Sequence, residues 1–290
     1  MKLNTKRTML VGLAFLSICI FWQMYDSVMT LILTDTFHLN ETIAGAVMAA
    51  DNVLALFLLP LFGALSDKTN TRIGRRMPYI IGGTAAAVIL MNLLPVLDNA
   101  YAASPSPLIL GLFIAALALL LVAMGVYRSP AVALMPDVTP KPLRSRGNAV
   151  INLMGAVGGI LYLALAAVLY PASRKVAGHV DYQPLFIIVS LIMAAAVLAL
   201  ALTVKEKKLS EENRALEKQH PDWNLAAKDE SGSEVLPKEV KRSLTFLLAS
   251  ISLWFIAYNG VTTWFTKYIE QVMGCLLYTS PSPRDRSLSR

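Results

Sequence analysis

The sequence predicts an all-α, polytopic membrane protein, and three observations indicate this fold class. Of the 290 residues, 56% are hydrophobic and only 16% are charged, whereas soluble globular chains are roughly 45–50% apolar and about 25% charged. The apolar residues form runs long enough to cross a bilayer as helices, which takes about 20 residues. The cations are concentrated in the segments between those runs.

Seven apolar runs are predicted to be spanning helices. They cover approximately residues 9–33, 43–65, 79–97, 107–134, 148–170, 184–204 and 244–267. The first run follows three cations, as the core of a signal peptide does, but it is too long for one and it carries Asp26. We therefore interpret it as an uncleaved first helix.

Lysine and arginine indicate how these helices are oriented. The segment before the first run and the segments 66–78, 135–147 and 205–243 contain several of them, whereas 34–42 and 98–106 contain none. Because basic loops remain in the cytoplasm, this alternation predicts a multi-pass protein of the cell (cytoplasmic) membrane whose N-terminus is cytoplasmic. Basic loops beside the lipid bilayer also explain the net charge of +7 without a nucleic-acid partner.

The pattern of runs divides the chain into four parts. Residues 1–204 are predicted to form a six-helix transmembrane bundle, and 244–274 the first helix of a second bundle. Between them, 205–243 is charged with both signs, which indicates a solvated cytoplasmic linker, partly helical near 206–218. From Cys275 the chain reads CLLYTSPSPRD, the translation of a transposon adapter used in sequencing libraries. We expect 275–290 to be a non-native tail and the native sequence to be truncated near residue 274.

Three ionisable residues lie inside predicted spans, namely Asp26, Asp51 and Arg128. Charges at this depth are costly unless they face a cavity or a partner, so they are candidate functional residues. Polar side chains near them complete a predicted substrate and ion site: Tyr25, Asn52, Asn152 and Asn259. The alternative is that the three charges form a buried salt bridge that only fixes helix packing.

The loop between the second and third runs carries the most specific motif. It reads GALSDKTNTRIGRRMP over residues 63–78. This pattern resembles the loop between the second and third helices of the major facilitator superfamily. Its longer form, S-D-K-x-x-x-R-x-G-R-R-x-P-Y, is most similar to the sucrose-transporter-like and glycoside–pentoside–hexuronide:cation symporter branches. Residues 127–137 resemble the fourth helix of that branch, in which an arginine contributes to the sugar site, and 146–149 resemble the start of its fifth helix.

The resemblance implies a fold and a function. The family pairs two six-helix halves around a central cavity, and this branch carries out cation-coupled symport of sugars or glycosides. The sodium-coupled melibiose permease branch carries paired acids where Ala55 and Leu59 stand here. We therefore expect the coupling cation to be a proton bound by Asp26 or Asp51. The resemblance also assigns a conformational switch to the loop, formed by Gly63, Asp67, Arg72, Gly74, Arg75 and Arg76.

Two other functions remain open at this point, efflux of drugs or organic acids by a facilitator and a non-transporting membrane sensor. An enzyme is not predicted, because the sequence contains no G-x-S-x-G or H-E-x-x-H signature. No cofactor is predicted either. No metal site is predicted, because Cys19 and Cys275 have no partners at ligand spacing.

Overall fold

The computed structural model describes residues 3–170, 179–220, 223 and 238–273. In this part of the chain the regular structure is helical, with no strand. Eight α-helices follow one another: α1 Thr5–Leu31, α2 Glu41–Lys68, α3 Met77–Ala103, α4 Pro107–Val138, α5 Arg144–Leu169, α6 Gln183–Thr203, α7 Glu206–Gln219 and α8 Lys238–Met273. A π-helical turn, Ile32–Thr36, continues α1, and a 3₁₀ turn, Lys141–Leu143, precedes α5.

Seven of these helices, all except α7, are long and apolar enough to cross a membrane. They coincide with the seven predicted runs and confirm the predicted fold class. Polar side chains cap the first turns of several of these helices. The side-chain oxygen of Asn40 accepts a hydrogen bond from the Thr42 amide at 2.9 Å at the start of α2. Ser106 caps α4 in the same way.

The first helix is the centre of the bundle. It packs most extensively against α5, and also against α6 and α4, while α3 packs against α4 and α6 and α2 against α4. The contact between α1 and α5 is close because a glycine stands where they meet. A Cβ atom at Gly158 would lie 2.4 Å from the Leu16 carbonyl oxygen. Small residues of this kind allow helices to associate in a bilayer, where the hydrophobic effect does not drive them together.

Two hydroxyl groups hold α4 between α1 and α2. The buried Tyr127 hydroxyl donates to the Ala14 carbonyl oxygen at 2.8 Å and is also hydrogen-bonded to Ser17. Two residues further along α4, Ser129 donates to the Leu59 carbonyl oxygen at 2.7 Å. These bonds fix the position of the α4 segment that carries Arg128.

The last helix lies at the edge of the structure. Its side chains are mostly exposed, and its main packing partner is α1. Thr30 donates to the Thr263 carbonyl oxygen at 3.3 Å, and Lys267 forms an ion pair with Asp35. This helix begins at Lys238, six residues before the predicted boundary at 244. The predicted tail 275–290 and residues 224–237 of the predicted linker lie outside the described residues.

The predicted linker contains a helix that packs on the bundle. Helix α7 agrees with the helix expected near 206–218, but one of its faces is not solvated. Glu206, Ser210 and Asn213 are buried against the bundle. The linker is therefore partly a structural element and not only a solvated connector.

Candidate functional site

A small cavity lies between α1, α2 and α4. Its charged and aromatic walls are Trp22, Asp51 and Arg128. The remaining walls are mostly aliphatic: Leu54, Ala55, Leu58, Leu59, Leu121, Met124 and Gly125. The volume of about 20 Å³ has room for a single water molecule. Two of the three predicted intramembrane charges therefore line the same cavity.

The charges around this cavity interact without direct pairing. Among the described residues no ion pair joins Asp51 to Arg128, but the two charges are close enough to attract each other. The Arg128 guanidinium lies 5.5 Å from the centre of the Trp22 ring, in a cation–π contact. Asp26, one helical turn beyond Trp22, is within electrostatic range of Asp51. The site thus contains a carboxylate and a guanidinium at one cavity, with a second carboxylate within electrostatic range.

Two predicted polar neighbours adjoin the carboxylates. Asn52 donates to the Asp51 carboxylate from its backbone amide at 2.6 Å and from its side chain at 2.7 Å. The Tyr25 ring is buried at 5.4 Å from the Trp22 ring, and its hydroxyl has no hydrogen-bond partner within the described part of the chain. The indole N–H of Trp22 is likewise unpaired there. Two buried donors are therefore available to a ligand.

The structure does not bring the other two predicted site residues to this cavity. Asn152 is exposed on α5 and Asn259 is exposed on α8, and neither lines it. Over the described residues, no group of three or more His, Cys, Asp or Glu side chains could hold a metal ion.

A second cluster of charges surrounds Arg76 at the end of the bundle that carries the loop before α3. We call this end the basic end. The Arg76 side chain is only 6% exposed and donates through Nε to Asp137 at 2.9 Å. It also pairs with Asp67 and donates to the Ser66 hydroxyl. Arg75 donates to the same Asp137 oxygen at 3.2 Å.

Gly63 belongs to this cluster through its backbone and its small size. Its carbonyl oxygen accepts a hydrogen bond from Arg76 Nη1 at 3.3 Å. A Cβ atom at this position would lie 3.1 Å from the Ser129 hydroxyl. The contact joins the end of α2 to α4, next to the segment that carries Arg128.

A carboxylate from α7 caps the N-terminus of α3. Glu206 is 1% exposed and accepts backbone hydrogen bonds from Arg75 at 2.8 Å, from Arg76 at 2.9 Å and from Met77 at 2.9 Å. The unpaired amides and the dipole at a helix N-terminus favour an anion there. Gly74, with φ of +132°, lets the backbone turn beneath this carboxylate.

Five of the six predicted switch residues therefore meet in one network, and Arg72 does not. Arg72 is exposed and makes no ion pair among the described residues. Glu206 is not among the predicted site residues, because the mixed charge of 205–243 indicates a solvated linker. Asp137 enters the prediction only as the last residue of the motif over residues 127–137. Its position in the sequence could have indicated a role in this network, because Asp137 is an acid at the end of a spanning helix, close to a basic loop.

Comparison with known proteins identifies the family. The Major Facilitator Superfamily sequence profile matches residues 11–282. The chain belongs to the Major Facilitator Superfamily. Membership agrees with the seven spanning helices.

Two curated proteins are similar to parts of the chain. One is "Uncharacterized symporter sll1374" of Synechocystis sp., 27% identical over 187 residues, which are 60% of this chain and 32% of that protein. The other is "Putative transporter YdfJ" of Escherichia coli, 35% identical over 83 residues, which are 28% of this chain and 18% of that protein. The chain thus spans a third or less of these relatives. No solved structure matches it significantly.

Proposed function

We propose that the chain is the first half, with the first helix of the second half, of a proton-coupled symporter for a sugar or glycoside. The observation that carries this proposal is the shared cavity of Asp51, Arg128 and Trp22, with Asp26 within electrostatic range. The name of the Synechocystis relative and the resemblance of the loop at 63–78 to cation-symporter branches agree with it. We place the basic end in the cytoplasm and the protein in the cell membrane.

The chemistry of the cavity suits a hydroxyl-rich substrate. A carboxylate and a guanidinium can each hold two neighbouring hydroxyl groups through paired hydrogen bonds. The Trp22 ring offers an apolar face for the C–H side of a sugar ring, and its free N–H adds a donor. The volume of about 20 Å³ is too small for a sugar. We infer that the substrate enters when helices separate and that the second half supplies the opposite wall.

Proton coupling requires a group that changes its charge during transport. Asp51 lines the cavity, and Asp26 is within electrostatic range of Asp51. Protonation of either acid would remove the repulsion between the two carboxylates, and protonation of Asp51 would also weaken its attraction to Arg128. A proton would thereby change the balance of charge around the substrate.

The test is uptake of labelled disaccharides by vesicles that contain the full-length protein, with an imposed pH gradient. We expect Asp26→Asn or Asp51→Asn to abolish accumulation driven by the gradient while exchange of substrate across the membrane continues. The control is Glu41→Gln, an exposed carboxylate outside the cavity, which should accumulate substrate normally. If both aspartate variants still concentrate the sugar, the proposed coupling is wrong.

One observation favours a second function, transport of organic acids or drugs. Most of the cavity wall is aliphatic, and Arg128 has no acidic ion-pair partner among the described residues, so an amphipathic anion would also fit. Competition separates the two functions. Unlabelled sugars should inhibit uptake of the labelled sugar, whereas inhibition by aliphatic carboxylates alone would favour the second function.

A further inference from the structure

An amphipathic groove lies at the basic end, on the outer side of the α3–α6 contact. It is formed by the loop before α3, the first turns of α3 and the junction between α6 and α7, and its volume is about 420 Å³. It is separate from the cavity that contains Asp51, because the two share no residue. Of its side chains, only Arg72 was assigned to the predicted conformational switch, and the structure places Arg72 outside that network.

One side of this groove is apolar and uncovered. Ile73 and Ile81 are 52% and 39% exposed, and Ala201 continues the same surface on α6. These residues lie where α3 begins at Met77 and α6 ends at Thr203. The groove therefore straddles the level at which the spanning helices leave the bilayer, where lipid headgroups lie.

The other side of the groove is strongly basic. Arg72, Lys205, Lys207 and Lys208 line it, with Glu211 as the acid among its lining residues. Arg72, Lys205 and Lys207 make no side-chain hydrogen bond or ion pair within the described part of the chain, whereas the neighbouring Arg75 and Arg76 are both paired. The Lys208 ammonium is 3.9 Å from Glu212, a loose and exposed contact.

We propose that this groove binds an anionic phospholipid, with its phosphate among Arg72, Lys205 and Lys208 and an acyl chain over Ile73 and Ile81. Basic pockets beside spanning helices recognise anionic headgroups through charge. The apolar side distinguishes a lipid from a free phosphate, because a soluble anion would leave Ile73 and Ile81 uncovered. Bound there, the lipid would join the loop before α3 to the α6–α7 junction.

The test is a lipid titration of the purified full chain, followed by native mass spectrometry. The probes are dioleoylphosphatidylglycerol and dioleoylphosphatidylcholine, which carry the same acyl chains, and glycerol 3-phosphate is the soluble competitor. The variant R72Q/K205Q/K208Q is compared with K68Q/R146Q/K218Q. The second triple variant removes the same charge from exposed positions at the same end outside the groove. Circular dichroism confirms that both variants fold.

We expect phosphatidylglycerol to bind at least about tenfold more tightly than phosphatidylcholine, and the groove variant to lose that preference while the control keeps it. Glycerol 3-phosphate should not displace the lipid. Equal affinity for the two lipids, equal losses in the two triple variants, or displacement by glycerol 3-phosphate would each overturn the proposal.

A second measurement does not depend on removing charge. A tryptophan introduced by Ile81→Trp should be quenched more by brominated phosphatidylglycerol than by brominated phosphatidylcholine, after subtraction of the signal of the unmodified chain. Equal quenching by both lipids would show that the groove does not select the anionic headgroup.

Discussion

Gly74 shows how one residue shapes the basic end. Its φ of +132° lies in the region that glycine tolerates and other residues rarely adopt. A Cβ atom there would also lie 2.1 Å from the Glu206 carboxylate oxygen. The backbone conformation and the close carboxylate both require the absence of a side chain.

Gly74→Ala should therefore destabilise the protein by about 1–3 kcal/mol, because it adds backbone strain and displaces a buried carboxylate. Thermal unfolding in detergent measures the loss. Gly82→Ala is the matched control, since a Cβ atom at this position in the second turn of α3 meets nothing within 4 Å. Equal effects of the two substitutions would contradict this account of Gly74.

Asp137 and Asp67 both contact Arg76, but their surroundings differ. The Asp137 side chain is 20% exposed and receives both Arg75 and Arg76, whereas that of Asp67 is 57% exposed. Buried partners depend on each other strongly, because removing one leaves a charge without compensation. Exposed pairs contribute little.

We expect Asp137→Asn to cost about 2–3 kcal/mol, since the nearly buried Arg76 would lose the less exposed of its two acidic partners. Asp67→Asn should cost less than about 1 kcal/mol in the same unfolding measurement. Measuring both stability and transport in these two variants separates an effect on folding from an effect on the conformational switch. If Asp67→Asn alters transport while leaving stability intact, the role of Asp67 is conformational, as the family resemblance implies.

At the scale of elements, α7 ties three helices together through one polar face. Glu206, Asn213 and Glu217 repeat at helical spacing, so they point toward the bundle. Glu206 caps the start of α3, and Asn213 donates to the Asp137 carbonyl oxygen at 3.1 Å at the end of α4. Glu217 pairs with Arg144 at 2.9 Å at the start of α5.

Glu206→Gln should loosen α7 and the first turn of α3, because the amide retains a single acceptor oxygen and removes the negative charge from the helix N-terminus. We expect a loss of about 1–3 kcal/mol and faster hydrogen exchange at residues 75–77 and 206–219. Glu212→Gln is the control, because that side chain is 54% exposed and its contact with Lys208 is long. Unchanged exchange in Glu206→Gln would show that α7 is held by other contacts.

The sequence predicts the helix α7 but not its packing. Apolar periodicity is the pattern that indicates a packed helix face, and the face of α7 that packs on the bundle is polar. Burial of such a face becomes favourable only when helix ends supply unpaired amides and carbonyls for it to bind. Those ends belong to α3 and α4, so local sequence carries no direct sign of the contact.

At the scale of the whole molecule, the spanning helices differ in how much of their surface is buried by neighbouring helices. Helix α1 is largely buried by its neighbours, whereas α2, α5 and α8 leave broad apolar faces uncovered. On α2 this face includes Leu56 and Phe57, 70% and 67% exposed. Of these three helices, only α2 contributes residues to the cavity.

Labelling with an impermeant maleimide tests the predicted orientation in intact cells. In a background without Cys19 and Cys275, Ser104→Cys should react from outside because the segment 98–106 lacks cations. Asn70→Cys, in the basic loop, should react only after the cells are permeabilised. The opposite pattern would reverse the proposed topology and place the basic end outside.

Hydropathy and charge along the chain determined the class of the protein, its seven spans and the expected orientation. These properties can be read from each segment separately. The thickness of the bilayer sets the length of a spanning helix, and the lipid requires the backbone groups of that helix to hydrogen-bond with one another. Hydropathy and charge also identified Asp26, Asp51 and Arg128, because an ionisable residue inside a span is conspicuous. Which of the predicted residues meet was decided by the tertiary structure. It placed Asp51 and Arg128 at one cavity, left Asn152 and Asn259 outside it, and brought Glu206 to α3, since these contacts depend on helix rotation and on partners distant in sequence.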